Sequence, residues 1–409
     1  MSQPVERPRL LLLTLGVLAT FGPIALDFYL PGLPALARDL HASDAAAQAT
    51  MGACMVGLAL GQLVVGPMSD RFGRRVPLLG GVVGFIVLSI ACAAVPTIEM
   101  LLLARLLQGM AGAAGIVISR AVVADVYSGS EAARIFSILA AISGVALVLA
   151  PLGGGALLLV ADWRVAFVAL AIVGIGILVL TWFGVPETLA PERRQAHGLA
   201  RQVREMGGIV RAGSFMGYVG VFALSSAGLF LYITMSSLIF QREYEFGPFD
   251  FALVFAVNSF GLIAGTQLNI LLVRRISLAA ITIGTLVLGG LAAIVVAIAA
   301  GAGWPVPILL VALFITVSSQ GLVGPNVTAL ALAPFTRTAG TASAVLGTVQ
   351  FLGSAILPPL VSLSGTSMAL MALSVAITFV MALALLLAVS VGRRRAGTEQ
   401  RTRVPDLTN

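Results

Sequence analysis

The sequence predicts an all-α integral membrane protein: twelve transmembrane helices arranged as two six-helix bundles. Three observations carry that reading. Of the 409 residues, 59% are hydrophobic and only 10% charged, with a mean hydropathy of +1.06. A soluble domain carries roughly 25% charged residues, so lipid must be the solvent for most of this chain. The apolar residues also come in runs of the ~20 residues that a helix needs to cross the hydrocarbon. Finally, the longest polar stretch, 186–213, falls between the sixth and seventh runs and cuts the chain into near-equal halves.

Each run is bounded by Pro, Gly or charge. The first begins near Leu10; Arg7 and Arg9 precede it and Ala35-Leu36-Ala37 resembles a cleavage triplet, but its apolar stretch is too long for a secretory signal and reads as an uncleaved span. Spans two to six begin near Ala45, Val76, Thr97, Arg134 and Arg164, and spans seven to twelve near Ser214, Asp250, Ile276, Pro305, Gly340 and Ser367. The organisation expected is an N-terminal bundle over 1–185, a cytoplasmic linker over 186–213, a C-terminal bundle over 214–392 and a cytoplasmic tail over 393–409. The offset between Leu10 and Ser214 implies a repeat of roughly 205 residues, and two facing halves are how many secondary transporters build a site at mid-membrane. Pro31, Pro34, Pro151, Pro325, Pro358 and Pro359 are expected to interrupt spans one, five, ten and eleven.

All 24 basic residues are Arg, against 17 acidic ones, for a net charge of +7. They sit in loops between apolar runs, where phospholipid headgroups rather than nucleic acid supply the counter-charge. With the N-terminus cytoplasmic, 19 of the 24 fall on that side, three (Arg38, Arg164, Arg242) on the other and two (Arg105, Arg120) within span four; the positive-inside rule therefore places both termini in the cytoplasm. The two cysteines, Cys54 and Cys92, and the two histidines are scattered, so no disulfide framework, metal site or cofactor is expected.

The loop after span two reads Gly66-Pro67-Met68-Ser69-Asp70-Arg71-Phe72-Gly73-Arg74-Arg75. Topology alone needs only the Arg residues; a Gly for close backbone approach, turns at Pro67 and Gly73 and one anion among three cations ask for more. This loop resembles the signature of the major facilitator superfamily and lies where that family has it. Arg105-Leu106-Leu107-Gln108-Gly109 in span four, Gly144 followed by Pro151-Leu152-Gly153-Gly154-Gly155 in span five, and Pro186-Glu187-Thr188 are similar to further motifs of the family. Leu26-Asp27-Phe28-Tyr29-Leu30-Pro31-Gly32-Leu33-Pro34, with Gly61-Gln62, resembles its Bcr/CflA drug-resistance subgroup. Where family members often show Arg-Asp at the end of span four, this chain has Ala124-Asp125. The resemblance implies a conformational latch at Gly66, Asp70, Arg71, Gly73, Arg74 and Asp125, Asp125 pairing with Arg71 or Arg74, and an antiport motif at Gly144, Pro151 and Gly154.

One carboxylate, Asp27, lies deep within a span. A charge at the bilayer centre costs about 2.5–3.5 kcal/mol on the insertion scale, so Asp27 needs a partner or a task. Counting ~1.5 Å per residue puts it and Arg105 at a similar depth, about 12 Å below the far boundary, and a pair of the two is expected. Burial disfavours a charged carboxylate and a nearby Arg favours it; Asp27 and Arg105 thus read as proton-coupling residues. A cleft for apolar compounds needs aromatic and Met walls with a few polar groups; Phe21, Tyr29, Met55, Gln62, Tyr232, Asn258, Gln320, Asn326 and Gln350 are available. The function expected is proton-coupled efflux of small, largely apolar drugs or metabolites by a monomer in the bacterial inner membrane. The alternative is a proton-coupled importer of a small nutrient on the same fold. An enzyme is not expected, because the chain carries no Walker motif or metal cluster and the linker is too short to house a soluble domain.

Overall fold

In the computed structural model, residues 8–127, 129–191, 194, 210, 213–335 and 339–402 are described. Most of the expected linker with its Arg residues, together with Arg7, Arg337 and residues 403–409 of the tail, lies outside them. Twelve helices are long and apolar enough to cross a membrane. Span one is built from Pro8–Leu18, Phe21–Asp27, a 3₁₀ turn at Leu30–Gly32 and Leu33–Asp39. Spans two to six are Asp44–Phe72, Arg75–Ala94, Ile98–Val126, Gly129–Leu157 and Trp163–Gly184. Spans seven to twelve are Gly213–Arg242, Pro248–Leu272, Leu278–Gly301, Val306–Leu332, Ala339–Ser362 and Met368–Thr402. Several starts are set by side chains that cap a free N–H: Ser43, Thr97, Ser277 and Ser367 each accept from the backbone three residues on.

The first six spans pack on one another, as do the last six, and the two bundles meet where spans one, two and five face seven, eleven and eight. Spans two and four cross without side chains between them: a Cβ on Gly57 would strike the Leu106 carbonyl, and one on Gly109 the Cys54 carbonyl. Small residues at such crossings let backbones approach, which drives helix association where lipid gives no hydrophobic advantage.

The prolines behave differently from expectation. Span one is interrupted, but Pro151, Pro325, Pro358 and Pro359 sit inside continuous helices, and so does Pro67, which makes no turn. A proline in a helix leaves the carbonyl four residues back without its donor, and in lipid that carbonyl must be met from elsewhere. Ser143 of span five donates to Ala19, freed by Pro23. Thr266 of span eight reaches Gly321, freed by Pro325, at 3.1 Å. Gly52 of span two leaves room for the Ala355 carbonyl, freed by Pro359, which a Cβ there would approach to 2.6 Å.

A further contact joins the bundles at the break in span one. The Leu30 carbonyl, which already accepts the Leu33 N–H in the 3₁₀ turn, also accepts from Ser237 of span seven at 2.6 Å; one turn on, Gln241 Nε2 donates to the Pro31 carbonyl at 2.8 Å. Arg242 pairs with Asp44 nearby, and Ser362 donates to Gln48 Oε1 at 2.8 Å. These cross-bundle hydrogen bonds lie at the face remote from the chain termini, and the bundles are closed on each other there. Removing both donors with Ser237→Ala and Gln241→Leu takes away two hydrogen bonds of about 0.5–1.5 kcal/mol each. Spin labels at exposed His41 and Glu245 are then expected to show a longer distance component by double electron–electron resonance; an unchanged distribution counts against this closure.

Candidate functional site: a buried cation, an unpaired carboxylate and a cluster at the near face

Arg105 is wholly buried inside the first bundle. Its Nη1 donates to Gln108 Oε1 at 2.6 Å and its Nε to the Thr50 carbonyl at 3.4 Å. Gln108 extends the network by donating to Ser89, which donates to the Phe85 carbonyl. The guanidinium lies 4.4 Å from the Tyr29 ring centroid and 5.6 Å from that of Phe167, a geometry in which the ring quadrupoles attract the cation. Spans one, two, three, four and six are thus tied to one side chain, yet Nη2 has no hydrogen-bond partner.

The expected Asp27–Arg105 pair is not formed. Among the described residues Arg105 makes no ion pair, and Asp27, only 2% exposed, has no hydrogen bond or salt bridge. The direction of Asp27 differs from the one expected. Tyr29 stands two positions from Asp27, about 200° around the helix, and it is Tyr29 that turns to Arg105, its hydroxyl 2.9 Å from Thr50 Oγ1. Asp27 therefore faces the second bundle, on the side of Tyr232 of span seven. Tyr232 in turn accepts a hydrogen bond from Asn258 Nδ2 of span eight at 3.0 Å and stacks on Phe255. Asp27, Tyr232 and Asn258 are the sequence candidates that the fold brings together.

Other cavity candidates have different places. Phe21 packs edge-to-face on Phe85 at 4.7 Å, and Met55 and Tyr29 are core of the first bundle. Asn326 is paired with Asn269 by two reciprocal amide hydrogen bonds of 2.8 and 3.0 Å, which bind span ten to span eight instead of facing a cleft. Gln320 donates to the Ser225 carbonyl and borders a small apolar cavity within the second bundle, which Tyr232 also lines. Gln62 and Gln350 are half-buried on spans two and eleven.

At the near face, Arg74 is the centre. Its Nη1 donates to Asp70 at 2.6 Å and to Ser69 at 2.8 Å, and its Nε to Asp125 at 2.9 Å. Burial disfavours the Arg74 cation, but the hydrogen bonds and charges of Asp125 and Asp70 outweigh it and hold the guanidinium above its usual range. Of the two partners expected for Asp125, the fold selects Arg74; Arg71 is exposed, its guanidinium 5.1 Å from the Phe72 ring centroid. Gly73 has φ +89°, the left-handed turn that favours glycine, whereas a Cβ on Gly66 would meet open space, so no close approach explains that residue. Glu187, a residue not assigned a role from sequence, caps span three: its carboxylate accepts the N–H groups of Arg74 at 2.9 Å and Arg75 at 3.2 Å. Thr188 donates to Asp125. The cluster joins spans two, three, four and six within one bundle. In span five, Gly144 lies against Ile263 of span eight, and Pro151 is followed by Gly154, where a Cβ would strike the Phe28 carbonyl.

Two six-helix bundles, sealed against each other at one face around a lone buried carboxylate, define a membrane transporter. The Major Facilitator Superfamily model matches residues 13–358, and the chain belongs to that family. It is 36% identical to "Uncharacterized MFS-type transporter YdgK" of Bacillus subtilis (strain 168), over 90% of this chain and 92% of that one. It is 29% identical to "Bicyclomycin resistance protein homolog" of Haemophilus influenzae, covering 86% and 88%, and 30% identical to "Multidrug resistance protein MdtL" of Escherichia coli (strain K12), covering 82% and 83%. Among solved structures, a nucleoside transporter, NupG, superposes with a TM-score of 0.77 at 12% identity, covering 93% of this chain and 99% of that one. A D-xylose-proton symporter gives 0.74 at 17%, covering 92% and 96%. The chain is a multi-pass membrane protein of the major facilitator fold.

Two outcomes follow. Arg105→Leu removes a charge-assisted hydrogen bond worth about 1.5–3 kcal/mol and strands Gln108, so the melting temperature in detergent is expected to fall by several degrees, with Arg105→Lys only partly restoring it because an ammonium lacks the planar fork. Glu187→Gln keeps the shape but loses the charge at the span-three N-terminus, a loss of about 0.3–1 kcal/mol; a melting temperature equal to wild type would refute the capping role.

Proposed function

We propose that the protein exports small, largely apolar drugs or metabolites across the bacterial inner membrane in exchange for protons. The observation that carries the reading is Asp27: a buried carboxyl group on the side of span one that faces the second bundle, with no hydrogen-bond or ion-pair partner among the described residues. An isolated charge there costs several kcal/mol, so the group carries its proton while the cleft is closed at the far face and releases it when water enters. Asp27 precedes Leu30 by one helical turn, and the Leu30 and Pro31 carbonyls hold that face shut through Ser237 and Gln241. Opening the face and wetting Asp27 are thereby one movement. Arg105 contributes by holding span one through Tyr29, not by pairing with Asp27.

With the termini cytoplasmic, as the Arg distribution supports, the closed face is the outer one and the cluster of Arg74, Asp70 and Asp125 lies at the inner surface, where we assign it the latch role. Twelve spans contain a complete pathway, so the monomer is the working unit. The resistance functions printed for the Haemophilus and Escherichia relatives support drug-like substrates and export. One proton moving through 100 mV supplies about 2.3 kcal/mol, enough for roughly a 50-fold gradient of a neutral compound.

The test uses proteoliposomes holding a pH-sensitive dye, an imposed proton gradient and a panel of antibiotics. Substrate-evoked proton movement is expected in wild type and absent in Asp27→Asn, with both proteins equally folded. Equal proton movement in the variant would remove Asp27 from coupling.

A further inference from the structure

Asn258 is 2% exposed, and its orientation is fixed by chemistry: Nδ2 lies 3.1 Å from the Val254 carbonyl, which can only accept, so this atom is the amide nitrogen. Both Nδ2 hydrogens are used, one on Val254 and one on the Tyr232 hydroxyl. Oδ1 is left buried with no partner. The Tyr232 oxygen accepts from Asn258, so its own O–H remains to be donated, and no acceptor for it lies among the described residues. A spare acceptor and a spare donor thus stand side by side, one amide group apart, next to Asp27. Two buried polar groups left open in lipid surroundings are costly unless something else meets them.

We infer that Asn258 Oδ1 and the Tyr232 hydroxyl form a neutral two-point subsite for uncharged ligands that present an N–H and a carbonyl on one edge, as a lactam, a secondary amide held cis by its ring, does. The ligand N–H enters Oδ1 and its carbonyl receives the Tyr232 hydrogen, while the Phe255 ring stacked on Tyr232 at 5.8 Å extends an apolar wall. Anionic ligands are disfavoured because no cation among the described residues is available to them: Arg105 is turned into the first bundle against Tyr29 and Gln108. The inference rests on the transport reading for its purpose, but binding can be measured without transport.

Calorimetric titration of the purified full-length protein in detergent, with the aromatic lactam 3,4-dihydroisoquinolin-1(2H)-one, a cis-locked secondary amide, and its N-methyl counterpart as probes, tests it. The wild type is expected to bind the secondary amide roughly tenfold more tightly, the usual effect of one unmet buried acceptor. Asn258→Leu should weaken only the secondary amide and erase that preference, whereas Tyr232→Phe, which keeps the ring, should weaken both amides about equally. A wild type that binds neither or prefers neither, an Asn258→Leu that weakens both alike, or a Tyr232→Phe that weakens neither overturns the subsite. If Asn258→Leu does not fold, the wild-type preference and Tyr232→Phe decide. No proton gradient enters these titrations, so an amide preference without proton exchange in proteoliposomes would sink the export reading alone, and proton exchange without an amide preference would sink the subsite alone.

Discussion

In hydrocarbon, a backbone carbonyl without a donor has no water to turn to, and this fold is organised around meeting that demand at its prolines. Pro23 and Pro325 each remove a donor, and the vacated carbonyls of Ala19 and Gly321 are met by Ser143 and Thr266; between the bundles, Ser237 donates to the Leu30 carbonyl and Gly52 gives the Ala355 carbonyl, freed by Pro359, room to approach. Each contact connects helices distant in sequence. Where both helices belong to one bundle, the contact stiffens it; where they belong to different bundles, as at Leu30 and Ala355, it also determines how the bundles sit. A hydrogen bond that spans two bodies is made or broken as they move, and the same carbonyls can be hydrated when the face opens.

The two ionisable groups at mid-membrane are treated in opposite ways. Arg105 is surrounded by donors' complements, with amide and carbonyl oxygens in its plane and aromatic faces against it, so its charge is spread over five spans without a counter-ion. Asp27 has none of this. An Arg with its weakly hydrated, planar cation suits such permanent burial; a lone carboxyl group does not, unless it changes protonation. One bundle thus holds a fixed charge for architecture and, facing its partner bundle, the carboxyl group to which the proposed function assigns the proton.

At the near face, charge is concentrated and paired. Arg74 bridges two carboxylates while Glu187 holds the N–H groups at the start of span three, so the segment that looks like a short loop is fastened from three directions. Gly73 makes this possible, since only a left-handed turn brings the end of span two and the start of span three into register with Glu187. A cluster closed within the first bundle can move as one body against the second.

Much of this was legible in the sequence. Helix count, span boundaries and the family signature follow from local rules, because a membrane span must be apolar over a set length and capped at its ends; Ala45 against an observed start at Asp44, or Val76 against Arg75, differ by one residue. The burial of Asp27 was also legible, since a lone acid within an apolar run is a property of one span; the expected pairing with Arg105 was not met. The direction of Asp27 was not legible. Tyr29 and Asp27 compete for the face turned to Arg105, and only packing decides between them. Likewise Asn326 and Asn258 are indistinguishable as intramembrane amides until tertiary structure gives one a reciprocal partner in Asn269 and leaves the other with an open carbonyl. Sequence by itself determined which groups enter the membrane, because transfer cost depends on the residue; the tertiary structure alone decided which of them are satisfied, because a hydrogen bond depends on what stands three ångströms away.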